Sequence, residues 1–286
     1  GANDKENDIL DVIGEMLTNG KAGLMEVDLE QQMKIASASA FTYGLHDYSA
    51  FIVAGTPNKE QKLEEARALL LDEMAKLRRG ESDNDLLPSV IANKKLNYYK
   101  SLDDNEERTN IMVDAFINDQ KWEDVASKLD RQSKLTKQDI VDFAKKYLRD
   151  DNFVCVYKRM GEDNTLKKIE KPAITPIPAN REYESDFVKE IKNAKVPDIQ
   201  PQFLDFKKDL TVTKTSKKLP LISQQNTQDD LFNLTFRYEF GDEDDIRYSY
   251  AAQYLNYIGT DKKSVSAIKQ AFYKLACNYS IVQGSK

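Results

Sequence analysis

Histidine is almost absent from this 286-residue chain: His46 is the only one. A catalytic zinc site usually takes two or more imidazoles, so the chain cannot assemble one from its own histidines. Cysteine is nearly as scarce. Cys155 and Cys277 are too few and too far apart for a disulfide framework or a zinc ribbon, and they read as two buried structural thiols. No apolar run approaches the roughly 18 residues that a membrane-spanning helix needs. A basic excess is also missing. The net charge of −6 argues against a nucleic-acid partner, which would call for a basic face. The opening Gly-Ala-Asn-Asp has no leader pattern and says nothing of the natural compartment.

What is present is a polar surface around enough apolar residue to pack a core: 40% hydrophobic against 31% charged. Proline is concentrated. Five of the eight prolines (Pro172, Pro176, Pro178, Pro197 and Pro201) fall between residues 171 and 210. Such a run resists continuous helix or sheet, apart from a short helix carrying Phe187, Val188 and Ile191. It reads as a linker between two units, 1–170 and 211–286, since a structureless loop of this length is improbable inside one domain.

In the first unit, Ile9, Leu10, Val12, Ile13, Met16 and Leu17 stand at helical spacing, and Asn19-Gly20 stops the helix. A second, shorter helix is expected over 23–32. Two strands follow, 33–41 and 49–55, joined by a turn that contains His46. A lone histidine in a turn is ordinarily a solvated loop residue. Residues 59–79 form the clearest helix, with Leu63, Ala66, Leu70, Met74 and Leu77 on one face and Gly80 at its end. Further helices run to 148, the last opened by Thr136 with Asp139 in a variant capping box. A strand is expected over 152–157. The order gives an α+β class, with helices covering one face of a sheet. The acidic pairs Glu64-Glu65, Asp103-Asp104 and Glu106-Glu107 point their carboxylates in different directions. Tyr98, Tyr99 and Trp122 read as core rather than as a stacking surface.

In the second unit, residues 210–213 and 219–224 are strand-like, and 231–240 alternate as a strand that Gly241 ends. Four acids (242–245) precede a helix over 246–258, where the positive end of its dipole suits them. Another helix begins near Lys262, and a short strand is expected over 279–282.

Both halves resemble the insulinase/pitrilysin family of zinc metallopeptidases. The first carries Met16-Leu17-Thr18-Asn19-Gly20-Lys21-Ala22-Gly23-Leu24, a small-residue strand, an aromatic turn and Phe51-Ile52-Val53-Ala54-Gly55-Thr56-Pro57. After the linker, residues 233–241 resemble the strand that opens the next repeat, and 251–260 its first helix. The resemblance implies four related α+β subdomains, paired into two halves that close around an unfolded peptide. It implies a zinc held by H-x-x-E-H, whose glutamate activates water. Residues 1–170 would be the second subdomain, 171–210 the inter-half linker and hinge, and 211–286 the beginning of the third, non-catalytic subdomain.

The zinc motif would then lie upstream in a longer polypeptide. In the third subdomain its positions fall on Tyr250, Gln253 and Tyr254, which cannot replace two imidazoles and a carboxylate base, so no metal and no catalytic residue is expected here. Tyr254 reads as core packing, and Tyr250 as core or chamber wall. Expected partners are a peptide or unfolded protein, held by a charged surface and a sheet edge, and the remaining subdomains of the same polypeptide. A homodimer is expected if an unpaired edge is exposed, or else a packing of 211–286 on the first unit. A periplasmic or otherwise exported location would suit the family. A non-catalytic scaffold relative is the rival reading. An unrelated helical module is a third, opposed by the strand-rich 210–240 segment.

Overall fold

Amphipathic helices and one hairpin build the core. Helix α1 (Glu6–Leu17) buries Val12, Ile13, Met16 and Leu17 completely or nearly so, because those positions share one face. The computed structural model describes all residues except 163, 166, 168, 285 and 286. After a π-helical turn at Glu26–Glu30 come strands β1 (Ser37–Gly44) and β2 (Ser49–Thr56), then α2 (Leu63–Arg79) and α3 (Leu86–Ser101). They are followed by α4 (Asn105–Ile117), α5 (Trp122–Ala126), α6 (Lys128–Gln132) and α7 (Lys137–Tyr147). Later elements are α8 (Asp186–Asn193), the hairpin β3 (Thr211–Lys214) and β4 (Pro220–Ser223), α9 (Arg247–Tyr254) and α10 (Val265–Lys274). The class is α+β.

Contacts divide the chain into two compact units, one of residues 1–157 with 231–286 and the other of residues 158–230. These limits differ from the expected boundaries at 170 and 210. In the first unit α1 packs on β1, α2 on β2 and α7, and α3 on α1 and α10. Tyr273 of α10 joins the core formed by Leu17, Met25, Leu29, Leu77, Val90 and Ile140. The second unit holds α8, capped by the Ser185 hydroxyl accepting from the Val188 N–H, and the β3–β4 hairpin; none of its described residues is buried.

Local signals behave as chemistry requires. Gly80 ends α2 at φ +71°, the left-handed conformation that glycine adopts without a Cβ penalty. At α7 the Thr136 hydroxyl accepts from the Asp139 N–H at 3.2 Å, and the Asp139 carboxylate accepts from the Thr136 N–H at 2.7 Å. Thr136→Ala is expected to lower the unfolding free energy by about 1 kcal/mol, read from urea midpoints.

Several expectations are corrected. The segment over 23–32 is helical as expected from Leu24 to Glu30, but Glu26–Glu30 is wound as a π-helix and the helix ends before Gln32. Residues 152–157, 231–240 and 279–282 form no ladder among the described residues. In 231–240 the apolar members of the alternation have no sheet to cover: Phe232 is 80% and Phe236 76% exposed. Neither thiol is buried: Cys155 is exposed and Cys277 half-buried. Trp122 and Tyr99 lie on exposed helix faces rather than in the core.

Candidate functional site

The β1–β2 hairpin has two unlike faces. Small and apolar residues alternate with solvent-facing ones, so Ala38, Ala40, Phe51 and Val53 turn toward the helices. Ser39, Phe41, Tyr43, Ile52 and Ala54 form the outer face. The strands are antiparallel, with Phe41 opposite Ile52 and Ala40 opposite Val53. The exposed Phe41, Tyr43, Tyr48 and Ile52 make this face aromatic and apolar.

Its two edges also differ. On β1 the Ala38 N–H donates to Glu30 Oε1 at 2.6 Å, and the Ala40 N–H donates to Thr18 Oγ1 at 2.8 Å. The Thr18 hydroxyl donates in turn to the Ala40 carbonyl at 3.2 Å. Side chains therefore cover the free edge of β1. Because the backbone groups of Ala38 and Ala40 point away from β2, those of the residues opposite them, Gly55 and Val53, and by the same alternation Phe51, point away from β1. Among the described residues nothing accepts from or donates to those outward groups.

The loop after α1 places the covering groups. The N–H groups of Asn19 and Gly20 donate to Glu26 Oε1 at 2.7 and 2.8 Å, while Asn19 Oδ1 accepts from the N–H groups of Lys21 and Ala22. Burial pushes the Glu26 carboxyl above the usual carboxylate range, and the N–H groups of Gly20 and Asn19 oppose that rise. This knot satisfies the loop backbone and holds Thr18 at one end and the Glu30 turn at the other. Sequence reasoning read Asn19-Gly20 as a helix stop only. The signal it lacked was an acid, Glu26, placed to return to that loop.

Helix α9 carries Tyr250, Gln253 and Tyr254 within one turn. All three are exposed, Tyr250 by 67% and Tyr254 by 64%. Core packing of Tyr254 is therefore corrected: no residue of α9 is buried, and among the described residues 231–240 forms no strand for it to pack on. His46 is exposed at the hairpin tip, with Nδ1 2.7 Å from Asp47 Oδ1. Of the acidic pairs, Asp104 caps α4 by accepting from the Glu106 N–H at 2.7 Å. Among the described residues no three His, Cys, Asp or Glu side chains gather into a group that could hold a metal ion.

The chain is similar to a zinc protease. The relative is the zinc protease PqqE of Helicobacter pylori (strain ATCC 700392 / 26695), 26% identical over 161 residues. The match covers 54% of this chain and 34% of that protein. A crystal structure of a protease from Helicobacter pylori shares the fold, with a TM-score of 0.50 and 20% identity over 52% of this chain and 36% of that one. The chain thus spans about a third of the length of each relative. It matches no protein-family model.

Beyond the hairpin, Glu73 and Tyr273 are two buried titratable side chains. Glu73 on α2 is 1% exposed and pairs with Lys76 Nζ at 2.7 Å, which also reaches Asp28 at 2.9 Å. Burial holds the Glu73 carboxyl above its usual range despite the lysine. Tyr273 lines a cavity of about 250 Å³ with Leu24, Val27, Leu86 and Lys274. Its phenol is pushed up by burial and by the carboxylates of Glu15 and Glu26. Lys274 closes one side through ion pairs to Asp83 and Asp85.

Proposed function

We propose that this chain is a non-catalytic segment of a longer zinc-dependent peptidase of the insulinase/pitrilysin type. The similarity to a zinc protease carries this reading, together with the share of that relative the chain spans. Residues 1–170 are the second subdomain, 171–210 a hinge between halves, and 211–286 the start of a third subdomain. The aromatic outer face of the hairpin supplies wall to the chamber that receives an unfolded peptide. Partners are that peptide and the remaining subdomains of the same polypeptide, in a periplasmic or otherwise exported setting.

The residues at the expected metal positions do not fit zinc. Tyr250 and Tyr254 offer phenols in place of the imidazoles that zinc takes, and Gln253 offers an amide, a poor base. All three are exposed on a helix with no buried residue, and among the described residues no group of three His, Cys, Asp or Glu side chains that could hold a metal ion gathers there. No catalytic step is assigned to them. The zinc chemistry belongs to an H-x-x-E-H outside this chain.

The same misfit supports a second reading, a scaffold relative that has lost catalysis throughout. Calorimetric titration of the chelator-stripped chain with zinc is expected to show no stoichiometric binding, and a peptide-hydrolysis assay no zinc-dependent turnover. Tight binding at one ion per chain, or turnover that a chelator abolishes, would overturn the proposal. Joining the chain to upstream sequence bearing H-x-x-E-H separates enzyme from scaffold.

A further inference from the structure

We propose that the open edge of β2 pairs with the same edge of a second copy of this chain, antiparallel about a two-fold axis at Val53. The inference stands on the hairpin alone and is independent of the peptidase reading.

Three observations carry it. The first is the contrast between edges. Thr18 and Glu30 cover β1, whereas the outward backbone groups of Phe51, Val53 and Gly55 make no hydrogen bond among the described residues. Exposed edges in soluble proteins are usually blunted by a charge, a proline or a covering element. From Ser49 to Thr56, β2 has no charged residue and no proline. Two copies can therefore meet along it without bringing like charges face to face.

The second observation is self-complementarity. A two-fold axis at Val53 sets Phe51 opposite Gly55, Ile52 opposite Ala54, Ala50 opposite Thr56, and Val53 opposite itself. Apart from the self-paired Val53, each larger residue meets a smaller one. The outward pairs (Phe51 with Gly55, twice, and Val53 with Val53) would exchange about six backbone hydrogen bonds, two for each bonded pair.

The third observation is the state of the sheet. Two strands alone are marginal, and joining two hairpins gives four continuous strands backed by α1 and α2 of each copy. The outer faces, with Phe41, Tyr43 and Ile52, then form one continuous surface. A rival occupant lies within the chain, since residues 152–157 read as strand. That run forms no ladder among the described residues, and Val154 is 89% exposed.

Charge-swapped variants test the pairing. Ile52 and Ala54 are exposed on the outer face, and each would lie directly opposite the other in the second copy. The unmodified chain is expected to show a dimer mass that dissociates on dilution, by light scattering after size exclusion. I52K/A54K and I52E/A54E should each be monomers with unchanged urea midpoints. Like charges set across the pairing should weaken association by about a hundredfold. Mixing the two variants should restore the dimer, while S39K on the outer face of β1 should leave it intact. A chain that stays monomeric at every concentration overturns the proposal, as does a dimer that survives both charged variants or a mixture that remains monomeric. Protection of the Val53 amide from hydrogen exchange in a monomer would assign the edge to residues 152–157. Protection only when an extended peptide is added would assign it to a peptide. Either result overturns pairing between copies.

Discussion

Gly23→Ala is expected to lower the stability of the first unit by about 3 kcal/mol, the upper range for forcing one methyl into a packed site. A Cβ on residue 23 would lie 2.2 Å from Glu26 Oε2 and 2.5 Å from the Leu17 carbonyl oxygen. The two contacts are not equally able to yield. Glu26 is a side chain and can swing away, but it would then release the Asn19 and Gly20 N–H groups it holds at 2.7 and 2.8 Å. Leu17 is backbone at the end of α1, and its side chain is wholly buried, so its carbonyl cannot retreat without shifting the core. Either relaxation exposes or orphans polar groups in a half-buried loop, at up to about 1–3 kcal/mol for each group left unsatisfied. Gly44→Ala is the control: a Cβ there meets nothing within 4 Å, and its urea midpoint should hardly move. A second readout follows the loop to the hairpin. Because the knot positions Thr18, the Ala40 amide should exchange with solvent faster in the Gly23→Ala protein. An equal effect at both glycines would show that the contacts of Gly23 are unimportant.

That loop shows where sequence reading stops. Helices α1, α2 and α7 were legible because their information is local: an apolar stripe, a left-handed glycine at Gly80, a capping box at Thr136. The β1–β2 hairpin was legible for the same reason, with its turn between two short alternating runs, although β1 begins at Ser37 rather than Met33. Strands at 231–240 and 279–282 were misread because alternation is local but a ladder is not. Phe232, Leu234, Phe236, Tyr238 and Phe240 carry the pattern, yet pairing needs a neighbour that periodicity cannot supply. Helix α4 teaches a similar lesson about packing. Ile111, Val113, Phe116 and Ile117 look like a core face, but of that helix only Ala115 is buried. At the candidate site, the chemistry of Tyr250, Gln253 and Tyr254 could be judged from residue type alone. Their exposure could not, and neither could the unequal edges of the hairpin. Those depend on where Thr18 and Glu30 lie in space.

Buried charge on α2 gives the second large effect. Lys76→Met keeps the aliphatic stem and removes the ammonium that holds Glu73 at 2.7 Å and Asp28 at 2.9 Å. Glu73 would then be a buried anion whose Oε2 already makes no hydrogen bond. Breaking such a pair from one side costs about 3 kcal/mol, the low end of the usual range, because the Lys76 side chain is itself a quarter exposed. The loss should depend on pH with a definite sign. Burial raises the folded-state pKa of Glu73 above its unfolded value, and losing Lys76 raises it further. In the window between those two values the folded protein binds the extra proton, so stability falls as pH rises through it. The penalty of Lys76→Met should therefore be largest near neutrality and shrink toward mildly acid pH, where Glu73 becomes neutral. Glu15 and Glu26, also raised by burial, tilt the unmodified protein the same way. Lys76 itself is raised by its bonds to Glu73 and Asp28, so its own contribution persists below the ordinary lysine range and is lost only at higher pH. Replacing both partners, Lys76→Met with Glu73→Leu, removes the buried charge along with its cation and should return stability to near that of the unmodified chain. Urea midpoints of the three proteins, taken from about pH 7.5 down to about pH 5, decide the matter. If the single-variant penalty is the same across that range, uncompensated charge on Glu73 is not its cause, and lost packing of the lysine stem is.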